Sequence, residues 1–229
     1  MAQPSYSAFG YTTTIDTSLA PIMSTVYTEQ TTDAQRSLVS SDPNDAAGGT
    51  GARSVRLTYY DTTLAGPFFE DVTLNGLGPV NTINSNICFI ESIEVLTVGA
   101  QRMNVGTIML KAGVSGGGAT IGSIVPGDNR TQWAHHYVAK DRAARISSIV
   151  GGILGIGFGE VHMRRSTPTI AGAPDQNVAP VLLVPPNGQE QLLLTSPIVV
   201  FGPSRIVLYA RSRISRSQDW QASFGFEEQ

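Results

Sequence analysis

Lysine is almost missing from this 229-residue sequence: of fifteen basic side chains only Lys111 and Lys140 are lysines, and thirteen are arginines. Lysine is the ordinary solvated surface cation, whereas arginine suits interfacial and buried pairing. The scarcity points to a surface partly covered by partners. Charge as a whole is also low, at 14% of residues against about 25% in ordinary globular chains. That excludes a long solvated helical protein, and a formal net charge of −3 argues against a basic nucleic-acid binder. Cysteine is limited to Cys88, so the chain forms no internal disulfide. The setting Ile87-Cys88-Phe89-Ile90 reads as a small buried hydrophobe, not a nucleophile. No run of about 18 apolar residues is present, which excludes a helical membrane span. The stretch Met1-Ala2-Gln3-Pro4-Ser5 is neither basic nor apolar, so no secretory signal is expected.

Glycine, serine, threonine and asparagine fill the place of the missing charge. Residues 1–50 contain sixteen Ser or Thr and a single basic residue, Arg36. Their apolar residues, among them Phe9, Tyr11, Leu19, Ile22 and Tyr27, follow no lasting period. Such a segment lacks the means to build its own core. It is expected to be an extended N-terminal arm, closed by the turn-rich run Ser41-Asp42-Pro43-Asn44-Asp45 and Gly48-Gly49-Thr50-Gly51.

From Arg53 the period is two. Val55, Leu57 and Tyr59 alternate with Ser54, Arg56 and Thr58, the mark of a half-buried strand. Further strands are expected at 69–74, 80–83, 87–98 and 104–110, then, beyond the glycine run 113–122, at 131–138, 144–156, 160–165, 181–184, 191–195, 198–201 and 205–214. Asn75-Gly76 is a strong turn signal. At the C-terminus Trp220, Ala222, Phe224 and Phe226 alternate strictly, as in a closing strand. Many short strands and no convincing helix predict an all-β fold: an antiparallel β-sandwich, jelly-roll-like, over residues 51–229.

Motifs for chemistry are weak. Gly113-Val114-Ser115-Gly116-Gly117 matches a nucleophile elbow by letter, with Asp128 and His135 following, but no helix follows the serine. Gly155-Ile156-Gly157-Phe158-Gly159 has part of a dinucleotide fingerprint without the spacing or the βαβ unit. His135 and His136 point to opposite faces of a strand, so they do not share a metal; one is expected to pack on Trp133 or Tyr137. The carboxylate neighbours Glu70-Asp71, Glu91/Glu94 and Glu227-Glu228 do not form acid–base pairs. Loop oxygens of Asp42, Asn44 and Asp45 lack the rest of a calcium loop. No catalytic, cofactor or metal residue is therefore assigned, and no enzyme is expected. Arg205, Arg211, Arg213 and Arg216, with no carboxylate among them, are the candidate interface: a docking stripe for an acidic partner surface, or a charged edge.

The segment Ser40–Leu57 carries the pattern ND-x-A-x-GTGAR-x-V-x-L at Asn44 to Leu57. It resembles a family of viral structural proteins found in tailed bacteriophages of open water and in some large DNA viruses of algae. The resemblance continues at Glu70–Gly76 with Pro79-Val80, at Ile90–Gly99 with Asn104–Ile108, and more loosely at Pro126–Gln132, Ile206–Arg213 and Ala222–Phe224. It departs at Val138–Arg142, where the family has a Val-Pro-Ala-Gly-Lys turn. The resemblance implies a virion component without cofactors: a capsid decoration, minor capsid or spike- or fibre-base protein. Its partners would be the major capsid protein or neighbouring virion proteins and copies of itself, a trimer being plausible, with neither membrane nor specific nucleic acid bound. Its place would be the virion, assembled in the host cytoplasm. The alternatives are a carbohydrate- or receptor-binding tip, for which Trp133 and the tyrosines would supply aromatics, and a tail or connector component.

Overall fold

A computed structural model describes residues 5–168, 175–214 and 218–229. Among these residues there is no helix. The strands in chain order are β1 (Ser5–Ile15), β2 (Ala20–Pro21), β3 (Ser37–Ser40), β4 (Ala52–Tyr60), β5 (Phe68–Thr73), β6 (Val80–Asn81), β7 (Phe89–Val98), β8 (Ile108–Lys111) and β9 (Thr120–Ile124). They continue as β10 (His135–Val138), β11 (Ala143–Leu154), β12 (Gly159–Ser166), β13 (Gln176–Asn177), β14 (Leu182–Val184), β15 (Gln189–Phe201), β16 (Ser204–Ser212) and β17 (Gln218–Glu228). The chain is all-β and antiparallel throughout, as the alternation predicts.

It divides into two compact units. Met1–Ser24 with Trp133–Gln229 forms the first, and Thr25–Gln132 the second. The first unit is a jelly roll. Its strands pair as a nested ribbon: β1 with β17, β10 with β16, β11 with β15 and β12 with β14. Successive pairs go alternately to two sheets. Cross-pairing of β17 with β11 and of β16 with β12 closes the orders β1-β17-β11-β15 and β10-β16-β12, with β13 and β14 as two pieces along β12. The inward residues of both sheets make one core. Ile146, Ile149, Ile153, Trp220 and Phe224 come from the first sheet, and Val161, Met163, Ile206 and Leu208 from the second. Each such side chain contributes about 1.5–3 kcal/mol by leaving water.

The second unit is inserted within one strand position of that jelly roll. Ala20-Pro21 and His135–Val138 lie end to end along the same edge of β16. Ala134 donates its N–H to the Ile22 carbonyl at 3.0 Å, and Met23 bridges to Trp133, so the chain leaves and returns at one point. The inserted unit has two sheets of its own, β6-β3-β8-β9 and β5-β4-β7. Val55, Leu57 and Tyr59 of β4 are buried, as their alternation requires.

These boundaries correct two expectations. Residues 1–50 are not a separate arm, and residue 51 does not begin a single sandwich. β1 pairs along most of its length with β17, while residues 25–50 belong to the inserted unit. The inward face of β1 is built from small residues, Ala8, Gly10 and Thr12, while the larger Phe9 points outward. Alternation by size rather than polarity is invisible to a hydrophobic period. The glycine run 113–122 does not divide the chain either. It is the β8–β9 hairpin, closed by Ala112 N–H to Ala119 O at 2.9 Å. Residues 191–201 are one strand, not two: Pro197 is tolerated because β15 is an edge strand, next to the irregular register opposite Ile146–Ser148.

Candidate functional site

The expected arginine stripe lies on β16 and just beyond it. Arg205 packs over the Tyr137 ring at 5.6 Å and donates to His135 Nδ1 at 3.2 Å. Arg211 and Arg213 converge on Glu160 of the neighbouring β12: Arg211 Nε donates to Glu160 Oε2 at 2.5 Å, and Arg213 Nη2 to Glu160 Oε1. Arg216 lies outside the described residues. Between Arg205 and Arg216 the sequence holds no acid, and the pairing carboxylate comes from a strand about fifty residues away, as the register Glu160↔Arg211 shows. Glu160 itself is buried, so pairing is what makes its charge tolerable there. The two guanidiniums remain half exposed and keep further N–H donors for a partner.

His162 extends this cluster. Its Nε2 lies 3.1 Å from Glu160 Oε2, while the buried Nδ1 has no hydrogen-bond partner among the described residues. It faces Glu160 and Arg164 on its own strand, Tyr209 opposite it on β16, and Arg211. Burial first, then Arg211 and Arg164, hold its pKa below the ordinary value. The unfolded chain therefore binds the proton more readily. Stability from neutral His162 is complete above about pH 6.5 and is lost as pH falls from there toward the lower folded value. Denaturation midpoints are expected to drop on acidification from about pH 8 to about pH 5, with His162→Gln flattening that drop. An unchanged slope in the variant would remove His162 from the account. On the same sheet Tyr209 donates to Asp175 at 2.9 Å, and burial above all pushes its phenol up to about 12.

The other motifs resolve into structure. Ser115 sits in the β8–β9 turn with φ 54°, its N–H donated to Asn81 Oδ1 at 2.6 Å, and the strand β9 follows it. The strand–serine–helix context of an elbow is therefore not met. Gly155–Gly159 joins two antiparallel strands, not a βαβ unit. His135 packs edge-on between Trp133 and Tyr137, at 5.4 and 5.5 Å. His136 instead stacks on Phe226 at 4.1 Å and meets Glu228 at 2.9 Å, so the two histidines do face apart. Cys88 is fully buried, and burial first raises its thiol to about 12. Glu70 accepts from Ile83 and Asn84, while Asp71 holds Arg56 with two bonds of 2.8 and 2.9 Å.

Sequence reasoning missed the hub at Asp45. Its buried carboxylate accepts from Ser40 Oγ (2.6 Å) and from the backbone N–H groups of Ala52, Val105 and Gly106 (2.8, 2.9 and 2.8 Å). It ties the start of β4 to the loop before β8. Gly51 is part of the same device: a Cβ there would stand 2.2 Å from Asp45 Oδ1. The Asn-Asp…Gly-Thr-Gly-Ala-Arg pattern is thus a scaffold of the inserted unit. These oxygens are occupied by N–H and O–H donors, and no group of three or more metal-ligating side chains occurs among the described residues.

Two apolar surfaces complete the picture. Phe9 and Tyr11 of β1, Leu154 of β11 and Leu193, Val199 and Phe201 of β15 point away from the core on the first sheet. At one end of the jelly roll, Phe9, Tyr11, Thr12, Thr13, Leu154, Asp219, Trp220 and Gln221 line a cavity of about 300 Å³. It adjoins the place where the β1–β17 register breaks after Thr12.

No protein-family profile matches the chain, and no curated protein is significantly similar to it in sequence. Among solved structures it is similar to a chain of the T13 viral particle of IBDV, with 9% identity and a TM-score of 0.29 over 98% of this chain and 69% of that one. The STIV MCP gives 9% identity and a TM-score of 0.26 over 98% of this chain and 97% of that one. The VP2 subviral particle of infectious bursal disease virus gives 10% identity and 0.23, over 99% and 72%. Weak neighbours from viral particles thus recur, at scores that do not establish a shared fold.

Proposed function

We propose that this chain is a non-enzymatic structural protein of a virus particle, capsid-associated as a decoration, minor-capsid or spike-base component. One observation carries the reading: the first unit is a jelly roll that exposes large apolar side chains, Phe9, Leu154, Leu193, Val199 and Phe201, on the outer face of one sheet, and into which a second unit is inserted. Jelly rolls are wall elements of viral shells as well as of lectins. The resemblance at Ser40–Leu57 selects the viral use. Affinity in such a setting comes from modest contacts summed over many copies. Half-exposed Arg211 and Arg213, on and just beyond β16 of the other sheet, supply charged contacts toward an acidic neighbour. A closed homo-oligomer, for which a trimer is the expected form, serves this role. The lectin-like reading gains little from the tryptophans, because Trp133 and Trp220 are both buried.

The test is the composition of purified particles. Quantitative mass spectrometry is expected to find the chain at a copy number matching a symmetric site on the particle, and antibody labelling to place it on the shell. Absence from particles would overturn the proposal. So would turnover of a small compound by the purified chain, abolished by a single substitution.

A further inference from the structure

The loop between β11 and β12 has a pattern that folding alone does not demand. Along Leu154-Gly155-Ile156-Gly157-Phe158-Gly159, every second residue is large and apolar, and every intervening one is glycine. The glycines face the body of the unit with no room for a side chain. A Cβ would stand 2.4 Å from Gln218 Oε1 at Gly155, 2.5 Å from Ile214 Cγ1 at Gly157 and 2.1 Å from the Trp220 ring at Gly159. The loop's backbone is held from both sides. Gly155 N–H donates to Asn187 Oδ1 at 2.9 Å, Asn187 N–H to Gly155 O at 2.8 Å and Arg213 N–H to Phe158 O at 2.9 Å. The apolar side chains consequently stand in water on a fixed base, with Leu154, Ile156 and Phe158 exposed by 70, 69 and 61%. Leu183, 62% exposed, lies opposite Glu160 and so two residues along the strand from Phe158. A polar residue at any of these positions would fold as well, so their apolar character calls for a cover.

Leu154 is at once the first of the projecting side chains and a wall of the 300 Å³ cavity. A cavity of about 150 Å³ already accommodates benzene, so an isoleucine or phenylalanine side chain fits this one. A knob and a hole thus sit side by side on one chain. The exposed parts of Leu154, Ile156, Phe158 and Phe9 amount to on the order of 500 Å² per copy, against about 800 Å² per partner in a standard stable interface. The polar rim of Thr13, Asp219 and Gln221, with Arg213 across the loop, supplies the remainder.

We infer that this end of the jelly roll binds a second copy of the same chain, each copy seating Ile156 in the cavity of the other beside Phe9 and Tyr11. Because knob and hole share Leu154, a twofold axis near that residue satisfies both contacts at once, the self-complementary arrangement of an isologous interface. This rests on the reading of the chain as a self-associating shell component and names a twofold contact between copies, separate from the head-to-tail contact that a trimer ring requires.

The experiment is sedimentation equilibrium of the full chain, wild type against Ile156→Asp, Phe9→Asp and the control Ile83→Asp, an exposed apolar residue of the inserted unit. Wild type and control are expected to associate alike, and each of the other two to weaken association by about 100-fold with unchanged thermal midpoints. As a second measurement, oxidising a mixture of Ile156→Cys and Tyr11→Cys chains is expected to link the two variants, since buried Cys88 does not compete. A wild-type chain that stays monomeric, alone or bound to lipid vesicles, overturns the inference, as does association indifferent to both aspartates. A monomeric chain still found in particles overturns only this contact. A self-associating chain absent from particles overturns only the virion reading.

Discussion

Replacing Asp45 by alanine is expected to destabilise the inserted unit by about 3–5 kcal/mol, a large share of the roughly 5–15 kcal/mol of a typical domain. Three backbone N–H groups, those of Ala52, Val105 and Gly106, and the Ser40 hydroxyl all end on this one carboxylate. The side chain is fully buried, so water does not replace it without opening the loop. Each buried donor left without an acceptor costs about 1–3 kcal/mol, and relaxation of the loop recovers part of the total. Asp45→Asn keeps the shape but turns an NH₂ toward N–H donors, and is expected to cost less than alanine but still more than 1 kcal/mol. Both tryptophans lie in the first unit, so fluorescence does not report this change. Amide exchange followed by mass spectrometry does: protection around Ala52 and Val105-Gly106 should be lost first. A variant that keeps that protection would show that the hub is dispensable.

Trp220→Ala is the counterpart in the jelly roll, with an expected loss of about 3–5 kcal/mol in urea denaturation. The indole is buried in the core cluster, pressed so closely on Gly159 that a Cβ there would overlap its ring. Its Nε1 has no hydrogen-bond partner among the described residues, so the loss is one of packing and cavity formation. Trp220→Phe should recover more than half of it. A loss below about 1.5 kcal/mol would mean that the space collapses and that the two sheets are less tightly interlocked there than the Trp220–Gly159 contact suggests.

How far the sequence reaches can be judged from particular stretches. Val55-Arg56-Leu57-Thr58-Tyr59 and Trp220–Phe226 alternate because one face of each strand is in the core, and the structure buries the residues that the period marks. Asn75-Gly76 turns the chain because glycine accepts φ 58° there. β1 escaped notice because its core face is small and its solvent face aromatic. Arg36, the only basic residue of the first fifty, falls in the stretch whose composition predicts an extended arm. It is buried instead, donating to the carbonyls of Ile87, Ala112 and Thr32, with burial lowering its pKa. No local pattern announces carbonyls that arrive from fifty-one and seventy-six residues away. The same holds for Glu160, which changes Arg211 and Arg213 from a bare stripe into a paired cluster that keeps one net positive charge.

Alternation, turn residues and scarce charge settled by themselves that this chain is all-β and built of many antiparallel strands, since a period of two and a turn dipeptide are read within a few residues. Tertiary structure alone decided which strands pair, that β1 closes on β17 across the whole length of the chain, that a second sandwich interrupts the first, and which polar side chains are buried hubs. Those outcomes depend on contacts between residues far apart in sequence, whose free energy exists only once both partners have been brought together.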